Sequence, residues 1–219
     1  MARGLPMTPG KRLFDILFSL YLMVFLAPVF AVVTWKVWRQ QGGPIFYGSE
    51  RMKSPTEAFT LWKYRTMADD PSDTGVTGGD KASRITPLGA ALRRRRLDEL
   101  PQLWNILKGD VSFVGPRPPL RRYVEMFPDL YGEVLKSRPG VTGLASLIYS
   151  PHEERILSAC NTAAETEAEY IRVCVPRKAA LDLLYQRNRT FWMDVKLISW
   201  TTAKFLPRAI RPKRKGKWV

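Results

Sequence analysis

The sequence predicts an α/β fold that is mostly helical: an N-terminal membrane element, then a small compact domain with interfacial amphipathic helices. Three observations predict it: a long charge-free apolar run near the N-terminus, one alternating stretch typical of a strand, and short helical patterns separated by prolines. We divide the chain into residues 1–41 with the membrane helix, residues 42–206 as the compact domain, and residues 207–219 as a basic tail.

Composition limits the classes of function. The chain has 219 residues and a formal net charge of +15, from 35 Lys and Arg against 20 Asp and Glu. This excess predicts an anionic partner: nucleic acid, an anionic membrane surface or phosphorylated substrates. The single histidine, His152, excludes sites that need two imidazoles, and Cys160 with Cys174 cannot form a four-thiolate zinc site. Two unpaired thiols indicate a reducing compartment.

The first element is the charge-free run from Ile16 to Trp35. As a helix this run would measure about 30 Å, one hydrocarbon thickness, which favours a bilayer. The alternatives are a buried core helix and a signal peptide cleaved at Ala31. A core helix rarely stays apolar on all faces over such a length, and the apolar run continues beyond the supposed cleavage site.

Basic residues flank this run on both sides: Arg3, Lys11 and Arg12 precede it, and Lys36, Arg39, Arg51 and Lys53 follow it. The positive-inside rule therefore favours the cytoplasm for both ends, which a straight spanning helix cannot satisfy. Pro28 lies within the run, where it removes a backbone donor and clashes with the preceding turn. We predict a re-entrant helix broken at Pro28, with both termini on the cytoplasmic side.

The compact domain begins with a strand and a loop. Residues Ala58–Met67 alternate apolar and polar side chains and predict the strand. Residues 68–82 are rich in Gly, Asp, Ser and Thr and predict the loop. Beyond residue 119, helical patterns alternate with prolines, which indicates short packed helices.

Two helices are predicted in the middle of the chain. Thr86 followed by Pro87 is typical of a helix start, and this helix is predicted through Arg96. The second helix follows Asp98 and ends near Gly109, which suits a C-terminal cap.

The last helical pattern, Thr190–Leu206, groups large apolar residues and tryptophans with few charges, as interfacial helices do. From Arg208 onward the chain has basic residues and no acidic ones. Such a tail beside an interfacial helix predicts attraction to anionic membrane lipid, although a solvated disordered end has the same composition.

Two adjacent carboxylates, Asp98 and Glu99, follow the four arginines Arg93–Arg96. A helix start binds anions, so a carboxylate there is expected to stay ionised beside a bound phosphate. One carboxylate could attack phosphorus while the other holds Mg²⁺. The alternatives from spacing alone are that Asp98 caps a helix and that the arginines form a solvated face or a nucleic-acid patch.

The segment Gly109–Pro118 contributes a further candidate, Arg117. Prolines on both sides restrict its backbone, which reduces the entropy that its guanidinium loses on binding a diphosphate. A plain surface turn would have the same sequence.

With these motifs, the sequence resembles the bacterial sugar transferases of the monotopic phosphoglycosyl transferase superfamily. The resemblance runs in order from residue 11 to about residue 145, and it rests on the following motifs: Lys11–Asp15, Gly43–Phe46, Glu50-Arg51, Lys63–Met67, Leu97–Asn105, Lys108–Asp110, Gly115–Pro118 and Arg138–Gly143. The segment Phe191–Ile198 is similar to the family's closing motif.

This resemblance implies a reaction. A sugar phosphate moves from a nucleotide diphosphosugar, usually uridine-linked, to polyprenol phosphate such as undecaprenyl phosphate, in the first membrane step of glycoconjugate or exopolysaccharide synthesis. It implies that Asp98 is the nucleophile of a covalent intermediate and that Glu99 binds Mg²⁺ beside it. Arg93 and Arg117 match phosphate-binding arginines, and Lys63 and Arg65 match a basic pair beside the site. The implied location is the cytoplasmic face of the bacterial inner membrane.

The sequence departs from the family pattern in three places. Ala27 replaces the serine before Pro28, Arg95 and Arg96 replace a usual Thr-Ser, and residues 144–189 diverge. The last departure leaves the identity of the sugar open, and association with a second copy of the chain is also left open.

Two other functions remain as alternatives. A membrane-tethered nucleic-acid-binding protein would need aromatic residues interleaved with the arginine run, and Arg93–Arg96 contains none, so no nucleic-acid partner is expected. A metal-dependent nucleotide-sugar hydrolase would share the phosphate site and differ only in its acceptor.

Overall fold

The structure, a computed structural model, describes residues 7–68 and 84–203. The chain opens with two helices, α1 (Pro9–Phe25) and α2 (Ala27–Gln41), followed by the antiparallel strands β1 (Phe46–Met52) and β2 (Ala58–Tyr64). The remaining elements in order are α3 (Pro87–Arg94), α4 (Gln102–Lys108), β3 (Ser112–Val114), α5 (Arg121–Met126), α6 (Pro128–Val134), β4 (Gly140–Thr142), α7 (Leu144–Ile148), α8 (Ser150–Leu157), α9 (Ala163–Glu169), α10 (Val175–Asn188) and α11 (Phe191–Ala203). The predicted mostly helical α/β fold is confirmed, and the strands of the described residues form two small sheets, β1 with β2 and β3 with β4.

The N-terminal helices meet at a sharp bend. Their axes differ by 64°, and the break falls at Leu26, with Pro28 in the first turn of α2. The amide of Phe30 bonds the Leu26 carbonyl at 2.9 Å, so the second helix starts anew after the break. Among the described helices no single one is long and apolar enough to cross a membrane, whereas the bent pair meets that test jointly.

Long-range contacts hold the start of α1 against the compact domain. Lys11 pairs with Asp194 of α11 and donates to the Val114 carbonyl at 3.1 Å. Arg12 donates to the carbonyls of Ile106 and Leu107, both at 2.6 Å, at the end of α4. The basic residues before the apolar run therefore dock α1 onto the domain.

The apolar face of the bent pair is only partly covered. Phe14 and Phe18 of α1 pack on a core that includes Phe113 and Leu197. The side chains turned away from this core are large and exposed, and they are Leu13, Leu17, Leu20, Tyr21, Val24, Phe25, Val32, Trp35 and Trp38. Exposed apolar side chains of this size and number are typical of a surface that contacts another apolar phase.

The predicted strand is confirmed over Ala58–Tyr64, where Phe59 and Leu61 are buried and alternate with polar neighbours. It ends earlier than predicted because the pairing changes beyond Tyr64, and Met67 forms an isolated bridge with Ile85. Its partner β1 was not predicted. Most of the predicted loop, residues 69–83, lies outside the described residues, as does the tail from residue 204 onward.

Two helix ends follow the sequence prediction. Thr86 caps α3 by accepting from the Gly89 amide at 2.9 Å, and Pro87 is the first helical residue. Gly109 ends α4 with φ +89°, a conformation that glycine adopts at little cost. Packing also requires glycine at position 89, since a Cβ there would lie 2.0 Å from the Thr66 carbonyl oxygen.

Candidate active site

The two adjacent carboxylates lie on a single turn. Leu97–Glu99 forms a three-residue 3₁₀ helix between α3 and α4, and Arg96 before it adopts φ +55°. The expectation that Asp98 opens an α-helix is therefore wrong: α4 begins at Gln102 and has no side-chain cap. A left-handed arginine costs roughly 1–2 kcal/mol, and such strain clusters at functional sites.

Glu99 is the acceptor of a cationic cluster. Its Oε1 lies 2.9 Å from Arg96 Nη1, 3.3 Å from Arg117 Nη2 and 3.7 Å from Lys63 Nζ. Burial alone would raise the pKa of Glu99, but the charges of Arg117, Lys63 and Arg96 outweigh it and lower the pKa to about 2. This carboxylate is therefore ionised at neutral pH.

Asp98 is in a different environment. Its side chain is buried, and within the described residues its Oδ1 has no hydrogen-bond partner. Burial, then the charge of Glu99, raises the pKa of Asp98 above its usual value, against the attraction of Lys63, Arg93 and Arg96. In the protein without substrates, burial thus outweighs the attraction of the nearby cations, and ionisation of Asp98 beside a bound phosphate stays a prediction. A buried carboxylate oxygen without a partner is costly and indicates a ligand-binding or catalytic role.

Lys63 reaches this cluster from the end of β2. Burial, followed by the charge of Arg117, lowers the pKa of Lys63 to about 8. Asn105 of α4 fixes the strand there, since it accepts from the Trp62 amide at 3.0 Å and donates to the Thr60 carbonyl at 2.8 Å. Sequence reasoning did not assign Asn105 a role, because its partners lie more than forty residues away.

Arg117 lies in a tightly held loop after β3. The Pro116 carbonyl accepts from the Gly140 amide at 2.8 Å, and the Gly115 amide donates to the Thr142 carbonyl at 2.9 Å. A Cβ at Gly115 would lie 2.2 Å from the Arg138 carbonyl oxygen, so only glycine allows this close approach. Arg117 forms an ion pair with Glu99, and the charge of Glu99 is the main cause that raises the pKa of Arg117.

The other two predicted cations have different surroundings. Arg93 donates through Nε to the Thr66 hydroxyl at 2.9 Å and is close enough to Asp98 to oppose the rise in its pKa. Arg65 is directed to the end of α2, where it donates to the carbonyls of residues 41–43. The structure thus brings Lys63, Arg93 and Arg117 to the carboxylates, and a phosphate contact by Arg65 stays a prediction.

An apolar cavity of about 210 Å³ adjoins this cluster. Arg96 and Glu99 line it together with apolar side chains that include Leu22 of α1, Leu103 of α4 and Leu147 of α7. Leu26, at the break between the bent helices, lines it as well. A site of this kind can hold a molecule that has both a charged group and an apolar chain.

Comparisons with known proteins show the family to which the chain belongs. The family model described as bacterial sugar transferase matches residues 7–208. An uncharacterized sugar transferase, EpsL, of Bacillus subtilis is 32% identical over 200 residues, which cover 90% of this chain and 87% of that protein.

Two further relatives are longer proteins. The undecaprenyl-phosphate galactose phosphotransferase of Salmonella typhimurium is 31% identical, covering 90% of this chain and 40% of that protein. The UDP-glucose:undecaprenyl-phosphate glucose-1-phosphate transferase of Klebsiella pneumoniae is 33% identical, covering 89% of this chain and 39% of that protein. The chain therefore spans about two-fifths of the length of these two relatives, and it belongs to the bacterial sugar transferase family.

Proposed function

We propose that this protein transfers a sugar phosphate from a nucleotide diphosphosugar, such as a UDP-sugar, to polyprenol phosphate, with Asp98 as the nucleophile. One observation carries the proposal: a buried carboxylate oxygen, Oδ1 of Asp98, has no hydrogen-bond partner within the described residues and lies beside a cluster of cations that suits phosphate. The names of the Salmonella and Klebsiella relatives support the same substrate classes.

The reaction has two displacements at one phosphorus. The Asp98 carboxylate attacks the phosphorus that carries the sugar, and the bond to the bridging diphosphate oxygen breaks, which releases UMP. A phosphate oxygen of polyprenol phosphate then attacks the same phosphorus, and the bond to Asp98 breaks. Lys63, Arg93 and Arg117 would hold the phosphate oxygens, and a buried site replaces the hydration that makes a carboxylate a poor nucleophile in water.

Magnesium fits the residues present. Within residues 7–68 and 84–203 no group of three or more His, Cys, Asp or Glu side chains could hold a metal ion by itself. Mg²⁺ needs only one or two carboxylates when substrate phosphates complete its shell, and Asp98 Oδ1 has no hydrogen-bond partner in the part of the chain that the structure describes. We propose that Glu99 and Asp98 hold the ion, which when bound would draw charge from the phosphate oxygens.

The acceptor would approach from the membrane side. The cavity beside Glu99 is lined by Leu22 and Leu26 of the bent pair, which suits the first isoprenoid units of the lipid. Lys11 docks the start of α1 onto the domain, and Arg65 binds the last carbonyls of α2. Because both ends of the bent pair contact the same domain, we propose a re-entrant membrane helix on the cytoplasmic side of the inner membrane.

This topology predicts the labelling of cysteines at Leu5 and Gln40, introduced after Cys160 and Cys174 have been replaced. A reagent confined to the periplasm is expected to label neither position in intact cells and both after the membrane is permeabilised. Labelling of one position in intact cells would show a spanning helix. Pro28→Ala, which restores a backbone donor at the start of α2, tests whether the break depends on proline.

The lowered pKa of Lys63 predicts an alkaline limit of activity. Below pH 8 the ammonium is charged, and as the pH rises through about 8 it loses that charge, so kcat/KM for the donor should fall. In Lys63→Arg the charge persists, and the alkaline limit should move upward although the maximal rate is lower. An unchanged alkaline limit in this variant would remove Lys63 from donor binding.

A donor panel tests the proposed function. The full chain in lipid nanodiscs is mixed with Mg²⁺, polyprenol phosphate and each UDP-sugar in turn, and UMP release is measured. We expect release with at least one donor and dependence on polyprenol phosphate. Release that continues at the same rate without polyprenol phosphate would instead identify a nucleotide-sugar hydrolase.

A further inference from the structure

A further cation, Arg51 of β1, lies beside the site and takes no part in the arrangement described above. Its Nε donates to the Ser49 hydroxyl at 3.2 Å, and its Nη1 lies 3.5 Å from the Pro118 carbonyl, one residue beyond Arg117. The adjacent Met52 amide bonds the Pro119 carbonyl at 3.0 Å, which ties β1 to the Arg117 loop. The position of Arg51 relative to Arg117 is therefore fixed by the backbone.

Arg51 is half-buried and has no carboxylate partner among the described residues. Its neighbour Glu50 is engaged by Arg121 through Nε at 2.9 Å and Nη2 at 3.2 Å. Burial, followed by the charge of Arg117, lowers the pKa of Arg51 to about 10. Two desolvated cations that face each other repel, and their burial costs free energy unless an anion binds between them.

The charges beside Arg51 suit a doubly charged anion. Lys63 responds to the charges of Arg117, Glu99, Arg51 and Asp98, so these groups share one neighbourhood. Arg96 adds a further cation, at 2.9 Å from Glu99. Cations therefore outnumber the two carboxylates there, which suits the doubly charged diphosphate of a nucleotide sugar and makes the donor the favoured ligand.

The location also favours the donor over the lipid. Arg96 and Glu99 line the apolar cavity, and Arg51 does not. The rings near Arg51 are those of Tyr47, Tyr123 and Tyr170, which are polar at one end, and Tyr170 packs against Tyr123 in a tilted arrangement with centroids 5.1 Å apart.

We propose that Arg51 binds the diphosphate of the nucleotide-sugar donor, together with Lys63 and Arg117, on the part of the site away from the apolar cavity. This inference rests on the proposed function for the identity of the donor. It gives β1 a direct role in substrate binding, beyond its pairing with β2.

The test compares Arg51→Met with Arg121→Met, a control because Arg121 forms a salt bridge with exposed Glu50. Both full-length variants are prepared in nanodiscs, UDP affinity is measured by titration calorimetry, and thermal unfolding is followed with and without UDP. We expect Arg51→Met to weaken UDP binding about 10- to 100-fold, because the loss of charge-assisted hydrogen bonds has an effect of this size. The variant should also raise the KM for the donor and leave the KM for polyprenol phosphate unchanged. Arg121→Met should bind UDP like the wild type.

Ligand-free stability separates binding from a structural role. Removal of a cation that has no carboxylate partner among the described residues should leave the ligand-free melting temperature unchanged or higher, while the stabilisation by UDP is lost. A lower ligand-free melting temperature with wild-type UDP affinity would overturn the inference, as would a raised KM for polyprenol phosphate alone. A wild type that binds UDP through Arg51 but turns over no donor would contradict the proposed function and leave the inference standing.

Discussion

Replacing Asp98 with asparagine is expected to lower the rate of transfer by ~10³-fold or more, as loss of a covalent nucleophile does in other enzymes. Asparagine keeps the size of the side chain and removes the charge, so the change isolates nucleophilicity. The fold should survive, because Asp98 caps no helix and its Oδ1 makes no hydrogen bond within the described residues. Removing a buried carboxylate beside Glu99 should even leave the melting temperature equal or higher.

A matched control is available on α10. Asp182 is also buried, and burial raises its pKa to about 7, but no contact places it near the carboxylate turn. Asp182→Asn should therefore keep the rate of UMP release within a few-fold of the wild-type rate. An Asp98→Asn variant that retained a rate similar to this control would remove Asp98 as the nucleophile.

Replacing Glu99 with glutamine is expected to lower turnover by about 100-fold, since it removes a charge that orients the groups around the reacting phosphate. Arg96, Arg117 and Lys63 all use its Oε1. Loss of this charge should lower the pKa of Lys63 further, because Glu99 is one of the groups that raise it. The alkaline limit of kcat/KM should then move below pH 8, and half-maximal activity should need more Mg²⁺.

The measurement is a set of pH profiles at several Mg²⁺ concentrations for wild type, Glu99→Gln and the control Glu50→Gln. Glu50 is exposed and pairs with Arg121, so its replacement should change neither profile. If Glu99→Gln had the wild-type rate and the wild-type Mg²⁺ dependence, Glu99 would have no part in the metal site.

Local signals predicted the elements whose causes are local. The Thr86-Pro87 helix start depends on a side chain that bonds the Gly89 amide three residues later, and the end of α4 depends on the conformation of Gly109 itself. The break in the apolar run was predicted near Pro28 and is centred on Leu26, two residues earlier, because proline is tolerated in the first turn of α2.

Features that depend on distant residues were not predictable from local pattern. Lys11 and Arg12 were interpreted as charges that set the membrane topology. In the structure, Lys11 pairs with Asp194 of α11, and Arg12 binds the carbonyls of Ile106 and Leu107 at the end of α4. The rise in the pKa of Asp98 depends on burial by surrounding elements, which outweighs the nearby cations. The strand β1 was missed because its residues are mostly exposed and polar, so they lack the alternation that identified β2.

The covalent intermediate on Asp98 is the central claim, and intact-protein mass spectrometry tests it most directly. The wild-type chain is mixed with Mg²⁺ and the accepted UDP-sugar, without polyprenol phosphate, and quenched rapidly. We predict a mass increase of one sugar phosphate on the wild type, none on Asp98→Asn, and loss of the adduct when polyprenol phosphate is added. An adduct on another residue, or full turnover through a ternary complex without any adduct, would contradict the account.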